Sequence, residues 1–211
     1  MPTSLGTFKT NLYGLLARND SVVDGFITRG VNFACTLIAL VYGPPELQTS
    51  GTATILAGAS TTSLASLTRL ATITNVYNTS GSNKVWMLPH DTLELHAPLE
   101  TSVAKYFKYY SRDGMTMNFR PLSIYDNTVS IEYNQYPSVV SANGDEISFS
   151  NYDSMVESYA AAYAWACLEE TEIAGIWKSL GDNIAAPQQL MLKARQYLEG
   201  GPINGNNTEG A

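Results

Sequence analysis

Apolar residues recur at helical spacing near the start of the chain. A stripe of five follows the candidate cap Ser4 and predicts an amphipathic helix over residues 4–17. A second stripe begins after candidate caps at residues 19–21 and ends at Gly43, where two prolines prevent its continuation. Together the two stripes predict a helical hairpin. The first stripe consists of Leu5, Phe8, Leu12, Leu15 and Leu16.

From residue 46 the pattern changes to Thr, Ser, Ala and Gly, with β-branched residues clustered at 52–56 and 71–77. These clusters favour strands because branched side chains pack well on a pleated surface. A polar turn at 80–83 leads into the apolar run 85–88, which predicts a buried strand.

Two further elements are predicted in the middle of the chain. Residues 98–110 place Val103, Tyr106, Phe107 and Tyr110 at helical spacing and predict a middle helix closed by Gly114. Residues 128–133 alternate apolar and polar side chains and form the clearest strand pattern.

Helical patterns return after residue 150. The pair Ser154 and Glu157 matches a capping box for an alanine-rich helix. A shorter helix is predicted at 173–180, and Pro187 is predicted to open a last helix that Gly200 ends. The apolar stripe of the alanine-rich helix is Met155, Tyr159, Ala162, Tyr163, Ala166 and Cys167, and that of the last helix is Leu190, Met191, Ala194, Tyr197 and Leu198.

These elements predict an α+β fold that is mainly helical. It comprises an N-terminal helical hairpin, a β-rich middle insertion with one helix, and a C-terminal helix bundle followed by an extended arm. In terms of domains, we predict one domain over residues 1–199, with the insertion at about 46–97, and a flexible arm over 200–211.

Composition and charge narrow the functional classes. Hydrophobic residues make up 45% of the chain and charged residues 15%, which is typical of a globular protein with a thinly charged surface. The formal net charge is −7, and the acidic residues concentrate after residue 120. Sequence-specific DNA binding is disfavoured, because affinity for phosphate backbones comes from Lys and Arg.

The cysteines and the N-terminus favour a protein of a reducing compartment. Cys35 and Cys167 both fall in helical patterns, which indicates buried free thiols. The first residues lack the pattern of a signal peptide, and the longest apolar run, 31–42, is short for a bilayer span. We therefore expect a soluble, unsecreted protein without a membrane partner.

His90, Glu94 and His96 form the most suggestive set of candidate metal ligands. Even spacing on a strand would place all three side chains on one face, as in a two-histidine, one-carboxylate site. The spacing is unspecific, and prolines at 89 and 98 bracket the stretch, so a polar strand or loop explains it more simply. We predict no metal and no cofactor.

Other catalytic patterns find little support. No G-x-S-x-G elbow frames a serine, and no Walker loop, G-x-G-x-x-G or H-E-x-x-H occurs. A thiol inside an apolar stripe is normally inert. We predict that the protein is not an enzyme.

Acidic and aromatic residues carry the remaining hypotheses. Glu169, Glu170 and Glu172 are ordinarily read as a solvated face, but in an assembly around DNA they would repel the duplex and let it slide. The tyrosines and tryptophans could stack on nucleobases, yet stacking platforms accompany a basic groove, which this chain is predicted to lack. Packing in a core or a subunit interface is the simpler interpretation.

The stretch from Gly114 to Leu168 resembles the head-to-tail adaptor, or connector, proteins of tailed bacteriophages. The resemblance rests on an extended segment after Gly114, a strand ending in Glu132-Tyr-x-x-Tyr-Pro, a polar loop, and Tyr152-Asp153 opening an alanine-rich helix. The N-terminal hairpin and the helices up to about Leu198 are similar in texture, so the resemblance covers about four fifths of the chain.

The resemblance implies a structural protein of the virion. Members form a ring, usually of twelve copies, beneath the portal protein, and they extend the DNA channel toward tail or neck proteins. They are made in the bacterial host cytoplasm and lie at the capsid–tail junction. Portal docking would then fall to the last helical stripe and to the arm at Pro202 and Ile203, and Glu169, Glu170 and Glu172 would be candidates to face passing double-stranded DNA.

Two alternatives remain. A different neck or tail-completion protein, such as a stopper or terminator, would be favoured if the β-rich middle dominated the fold. A small metal-dependent enzyme would require His90, Glu94 and His96 to converge.

Overall fold

The structure is a computed structural model that describes residues 2–79, 83–96 and 103–198, with the backbone alone at 90, 94, 96, 103 and 185–198. It confirms a mixed α+β fold. The chain divides into two compact units, each described here by itself. The helical unit comprises Met1–Glu46 and Pro137–Ala211, and the β-rich unit comprises Leu47–Tyr136.

Five α-helices occur in the part of the chain that the structure describes. They are α1 (Leu5–Leu16), α2 (Ser21–Tyr42), α3 (His90–His96), α4 (Asp153–Cys167) and α5 (Thr171–Leu198). The strands are β1 (Gln48–Ile55), β2 (Thr61–Ser63), β3 (Leu70–Asn78), β4 (Asn83–Lys84), β5 (Trp86–Met87), β6 (Val103–Ala104), β7 (Tyr109–Asp113), β8 (Thr116–Arg120), β9 (Leu122–Ser123) and β10 (Asn127–Gln135).

The predicted N-terminal helices are confirmed. The Ser4 side chain accepts a hydrogen bond from the Thr7 amide at the start of α1, and Asp20 accepts from the first amides of α2. Gly43 ends α2 in the left-handed conformation, with a φ of 54°. By length and composition α2 could also cross a membrane, but buried core helices pass the same test and 44% of its apolar window is buried.

The C-terminal helices differ from the prediction in three ways. The capping box at Ser154 is wrong, because α4 already begins at Asp153 and its cap residue, Tyr152, makes no side-chain capping bond. The predicted stripe is also wrong at Ala166 and Cys167, which are both exposed. The predicted helices at 173–180 and after Pro187 are one continuous helix, α5. A helix can continue through proline with the loss of one backbone hydrogen bond and a local bend.

Helix α4 is the centre of the helical unit, since it packs extensively against both α2 and α5. A glycine allows the close approach of α2. A Cβ atom at Gly30 would lie 2.9 Å from the Ala160 carbonyl oxygen. On its other side α4 contacts α5 through Tyr159, whose hydroxyl donates to Asp182 at 2.9 Å. The buried residues of α4 are three alanines and a serine, together with Met155, Val156 and Tyr159.

A polar cluster joins α1 to α2. The Lys9 ammonium is largely buried and lies 2.9 Å from Asp24 and 3.0 Å from the Asn143 amide oxygen. The Tyr13 hydroxyl donates to the same Asp24 carboxylate. The hydrogen bond from Tyr13, and then that from Lys9, lowers the pKa of Asp24. The lysine is therefore buried with its charge compensated.

Replacement of Tyr13 by phenylalanine is expected to make the stability of the helical unit less sensitive to alkaline pH. The hydrogen bond to Asp24, together with burial, raises the pKa of Tyr13 to about 12. A raised pKa in the folded state means that this stabilisation is complete below pH 10 or so and is lost as the pH rises toward 12. Hydrogen exchange across α1 and α2 at increasing pH measures the effect.

The control is Tyr163→Phe, in the same unit. We expect this variant to keep the alkaline loss of the wild type. If Tyr13→Phe and Tyr163→Phe gave the same profile as the wild type, the hydrogen bond to Asp24 would not contribute to stability.

The β-rich unit contains two four-stranded sheets and a two-stranded pair. Their strand orders are β1-β10-β3-β4, β2-β8-β7-β5 and β6-β9. The predicted strands at 71–77 and 128–133 are confirmed as parts of β3 and β10, and that at 52–56 is confirmed up to Ile55, where β1 ends. Inward-facing residues of both sheets form one core, in which the rings of Phe107 and Phe119 lie 4.8 Å apart.

Three predictions for this region are wrong. The middle helix at 98–110 does not form over its described part, where β6 and the start of β7 lie instead. Gly114, with a φ of 56°, joins β7 to β8 and closes no helix. In the predicted buried strand 85–88, Val85 is buried, but Trp86 and Met87 are more than half exposed. Strands also continue to Gln135, well past residue 97.

Candidate functional site

The acidic candidates lie at the junction of α4 and α5. Glu169 and Glu170 occupy the short connection and Glu172 lies in the first turn of α5, and all three side chains are exposed. In the described part of the chain, none of these carboxylates forms an ion pair. An acid in the first turn also interacts favourably with the helix dipole. The helical unit as a whole carries six basic and thirteen acidic residues.

Helix α5 presents an apolar face to solvent just after these acids. Ile176 is 68% exposed and Leu180 43% exposed, although both are large aliphatic residues. Gly175 and Ser179 line the same open hollow as these two residues. We call Gly175, Ile176, Ser179 and Leu180 the α5 face.

A second exposed apolar face lies on α2. Phe33 and Leu40 are separated by seven residues, so they lie on one side of the helix, and each is about half exposed. Val41 adjoins them and is also exposed. We call Phe33, Leu40 and Val41 the α2 face. The helical unit therefore has two separate apolar faces, on the two helices that flank α4.

The candidate portal-docking residues fall in the last part of α5. The continuous helix places Leu190, Met191, Ala194, Tyr197 and Leu198 along one side of its backbone. Pro202 and Ile203 lie outside the described residues. Ile184 lies beside the start of α4, in a hollow with Asn151 and Met155, and α5 continues from there to Leu198.

The candidate metal ligands lie on a helix, so the strand geometry considered for them is wrong. His90, Glu94 and His96 are all within α3. At about 100° per residue, Glu94 lies near His90 around the helix axis, whereas His96 is turned far from both. No cluster of three or more His, Cys, Asp or Glu side chains suited to a metal occurs among the described residues.

The two cysteines have different environments. Cys35 is buried in α2, and burial raises the pKa of its thiol to about 12. Such a thiol stays protonated at neutral pH and is a poor nucleophile. Cys167 is exposed at the end of α4. No partner cysteine is bonded to either.

The structure brings together lysines and aromatic residues that sequence reasoning did not connect. An open groove in the β-rich unit has a volume of about 410 Å³. This size lies within the range of roughly 300–1,000 Å³ for small-molecule sites. Its lining, which we call the lysine–aromatic groove, is Asn83, Lys84, Trp86, Ala104, Lys105, Tyr106, Phe107, Lys108 and Tyr109.

The groove rests on a firmly held backbone. The buried Asn78 amide donates to the Phe107 carbonyl at 2.8 Å, and its oxygen accepts from the Phe107 N–H at 3.2 Å. The Lys105 carbonyl accepts from Asn127 at 3.1 Å. The Lys108 carbonyl accepts from the Trp86 amide at 2.8 Å. Segment 105–108 is therefore tied to three separate elements.

The cations of the groove lie over its rings. The ammonium of Lys84 is 5.1 Å from the centre of the Trp86 ring, and that of Lys105 is 5.1 Å from the Tyr106 ring. Both distances are within the range of cation–π attraction. In the described part of the chain, neither these two lysines nor Lys108 pairs with a carboxylate. Among the residues that the structure describes, the lining of the groove contains no Asp or Glu.

The signal for this groove was present in the sequence, in the stretch Lys105-Tyr-Phe-Lys108-Tyr. It was missed because this stretch was read as part of a helix. The second part of the groove comes from the parallel pairing of β5 with β7, which places Trp86 opposite Tyr109. That pairing joins residues far apart in the chain.

The chain matches no protein-family model and no curated protein.

Proposed function

We propose that this protein is a noncatalytic virion protein that forms a ring beneath the portal, joins the capsid to the tail and extends the DNA channel. The proposal rests on the resemblance of residues 114–168 to phage head-to-tail adaptors, and on one structural observation. The helical unit exposes two different apolar faces, the α2 face and the α5 face.

Two faces of this kind are what a closed ring requires. In a cyclic assembly each subunit uses one patch toward the copy before it and a different patch toward the copy after it. Exposed aliphatic and aromatic residues gain free energy when a neighbouring subunit covers them. The α2 face would pack against the α5 face of the next copy, and closure would bury both.

The acids fit the same arrangement. The acidic residues of the helical unit make strong attachment to a DNA duplex unfavourable, because attachment depends on replacing counterions with Lys and Arg. If Glu169, Glu170 and Glu172 line the ring, they repel passing double-stranded DNA and allow it to slide. The last turns of α5, with Pro202 and Ile203, remain the proposed portal contact.

The ring is tested by placing charge on the α5 face. The double variant Ile176→Asp/Leu180→Asp is expected to fold, since both side chains are exposed, but to lose ring assembly and particle infectivity. The control Val139→Asp places the same charge at another highly exposed apolar position of the helical unit and should leave assembly unchanged. Class-averaged images of particles would show whether density between portal and tail is lost.

The proposal fails if the polypeptide is missing from purified particles, or if the α5-face variant assembles as well as the control. A second readout addresses catalysis. His90→Ala/His96→Ala should leave infectivity intact, whereas a metal-dependent enzyme using these residues would lose its activity.

A second candidate is another neck protein, a stopper or terminator. The observation in its favour is the extent of the β-rich unit, which spans Leu47–Tyr136 and contains all ten strands described. The same particle images distinguish the two. A stopper or terminator would lie further from the portal than an adaptor.

A further inference from the structure

The lysine–aromatic groove has the chemistry of a binding site for a polymer that carries both negative charge and flat rings. Three lysines and four aromatic residues line one open channel. A simple anion would contact the lysines but not the rings, and an apolar ligand would contact the rings but leave the lysines without an anionic partner. Single-stranded nucleic acid uses both, through its phosphates and its bases.

The Trp86 ring is exposed and can take a stacked base. Trp86 is 55% exposed, and its register partner Tyr109 lies on the neighbouring strand. Side chains of paired positions leave the same face of a sheet, about 5 Å apart. A base of any identity can lie on such a surface, because every base has a π face.

The lysines are suited to phosphates for a related reason. Lys84 and Lys105 rest over rings of the groove itself. A base stacking on Trp86 would displace the Lys84 ammonium, which could then reach the adjoining phosphate on its flexible stem. The cation–π contacts thus hold the lysines near the channel until a base stacks on the ring in their place.

We propose that the lysine–aromatic groove binds single-stranded nucleic acid, with Trp86 and Tyr109 as the stacking surface and Lys84, Lys105 and Lys108 as the phosphate contacts. The site goes beyond the ring function and does not depend on it.

The net charge of the chain does not oppose this assignment. The acidic excess belongs to the helical unit, whereas the β-rich unit carries six basic and six acidic residues. Charges more than a Debye length away, about 10 Å at 0.1 M salt, are largely screened. The local lysines therefore decide the interaction.

The test is fluorescence anisotropy of the full-length protein with a labelled oligothymidylate of about ten nucleotides. Binding should weaken with salt, and three phosphate contacts predict a slope of log K against log salt of roughly −2, at about −0.7 per contact. The fluorescence of Trp86 should be quenched on binding. An oligouridylate, a free nucleotide and a duplex of equal length are used as competitors. They show whether the groove takes RNA or DNA, a polymer or a single nucleotide, and a single strand or a duplex.

Two kinds of variant separate charge from stacking. Lys84→Gln, Lys105→Gln and Lys108→Gln should each lower the salt slope by roughly 0.7, and the triple variant should abolish binding. Trp86→Leu should weaken binding by roughly fivefold to a hundredfold without changing the slope. Lys178→Gln in the helical unit and Met87→Leu beside Trp86 are the matched controls and should bind as the wild type does.

Several results would overturn the assignment. One is that no oligonucleotide binds at low salt. A second is that the Lys and Trp86 variants bind as tightly as the wild type. A third is that polyglutamate of matched charge competes as well as the oligonucleotides do. The last result would mean that the groove takes an acidic peptide. Because ring assembly is tested on α5, either proposal can fail while the other stands.

Discussion

Replacement of Asn78 by alanine is expected to lower the free energy of unfolding of the β-rich unit by about 2–6 kcal/mol, at roughly 1–3 kcal/mol for each orphaned group. The Asn78 side chain is fully buried and bonds both the N–H and the carbonyl of Phe107. Alanine would leave these two backbone groups buried without partners. Hydrogen exchange of the amides in β3 and β7, measured in the whole chain, would report the loss.

Two further variants make the comparison specific. Asn78→Asp keeps an acceptor for the Phe107 N–H but has no donor for its carbonyl, so it should also destabilise the unit. Asn75→Ala, on the same strand, removes only a side-chain hydrogen bond to Glu132 and should have a small effect. If Asn75→Ala and Asn78→Ala lowered the free energy of unfolding equally, the hydrogen bonds to Phe107 would contribute no more to stability than the side-chain hydrogen bond from Asn75 to Glu132.

Alanine at Gly30 and alanine at Gly25 are expected to change stability in opposite directions, although both glycines lie in α2. At Gly25 nothing lies within 4 Å of an added Cβ, so the higher helix propensity of alanine should stabilise the helical unit by about 0.8–1 kcal/mol. At Gly30 the added Cβ would press on the backbone of Ala160. We expect that overpacking of about 1–3 kcal/mol exceeds the gain in propensity.

Denaturant unfolding of the two single variants, together with exchange rates in α2 and α4, measures this difference. A backbone neighbour cannot rotate away as a side chain can, so relief requires the two helices to separate. If Gly30→Ala were as stable as Gly25→Ala, the backbones of α2 and α4 would not be in close contact at Gly30.

The sequence predicted those elements whose determinants are local. Helices α1 and α2 follow an apolar period and begin at a side-chain cap, and β10 alternates buried and half-buried residues from Asn127 to Asn134. In each case the period, the cap or the turn residue lies within the element itself.

The region around Phe107 shows why the rest was missed. Val103, Tyr106, Phe107 and Tyr110 have helical spacing, yet their described surroundings are strands. The conformation is decided by distant partners, namely Asn78, the β8 strand and the β5 strand. Pairing between residues so far apart leaves no periodic trace in the segment itself.

The candidate sites divide along the same line. Glu169, Glu170 and Glu172 lie close together in the chain, which makes them visible in the sequence, and their exposure at a helix junction agrees with the pattern. The α5 face and the lysine–aromatic groove were not found. The sequence does not show whether an isoleucine such as Ile176 is exposed or buried. Lys84 and Lys105 line the same groove only in the folded chain.

The length of α5 has a mechanical consequence. From Ile184, beside the start of α4, the helix runs about 20 Å further to Leu198, at 1.5 Å per residue. A protein bound to the last turns would act on α4 through this length of helix, which works as a lever. Pro187 lies near the base of this lever, where a missing backbone bond makes bending easiest.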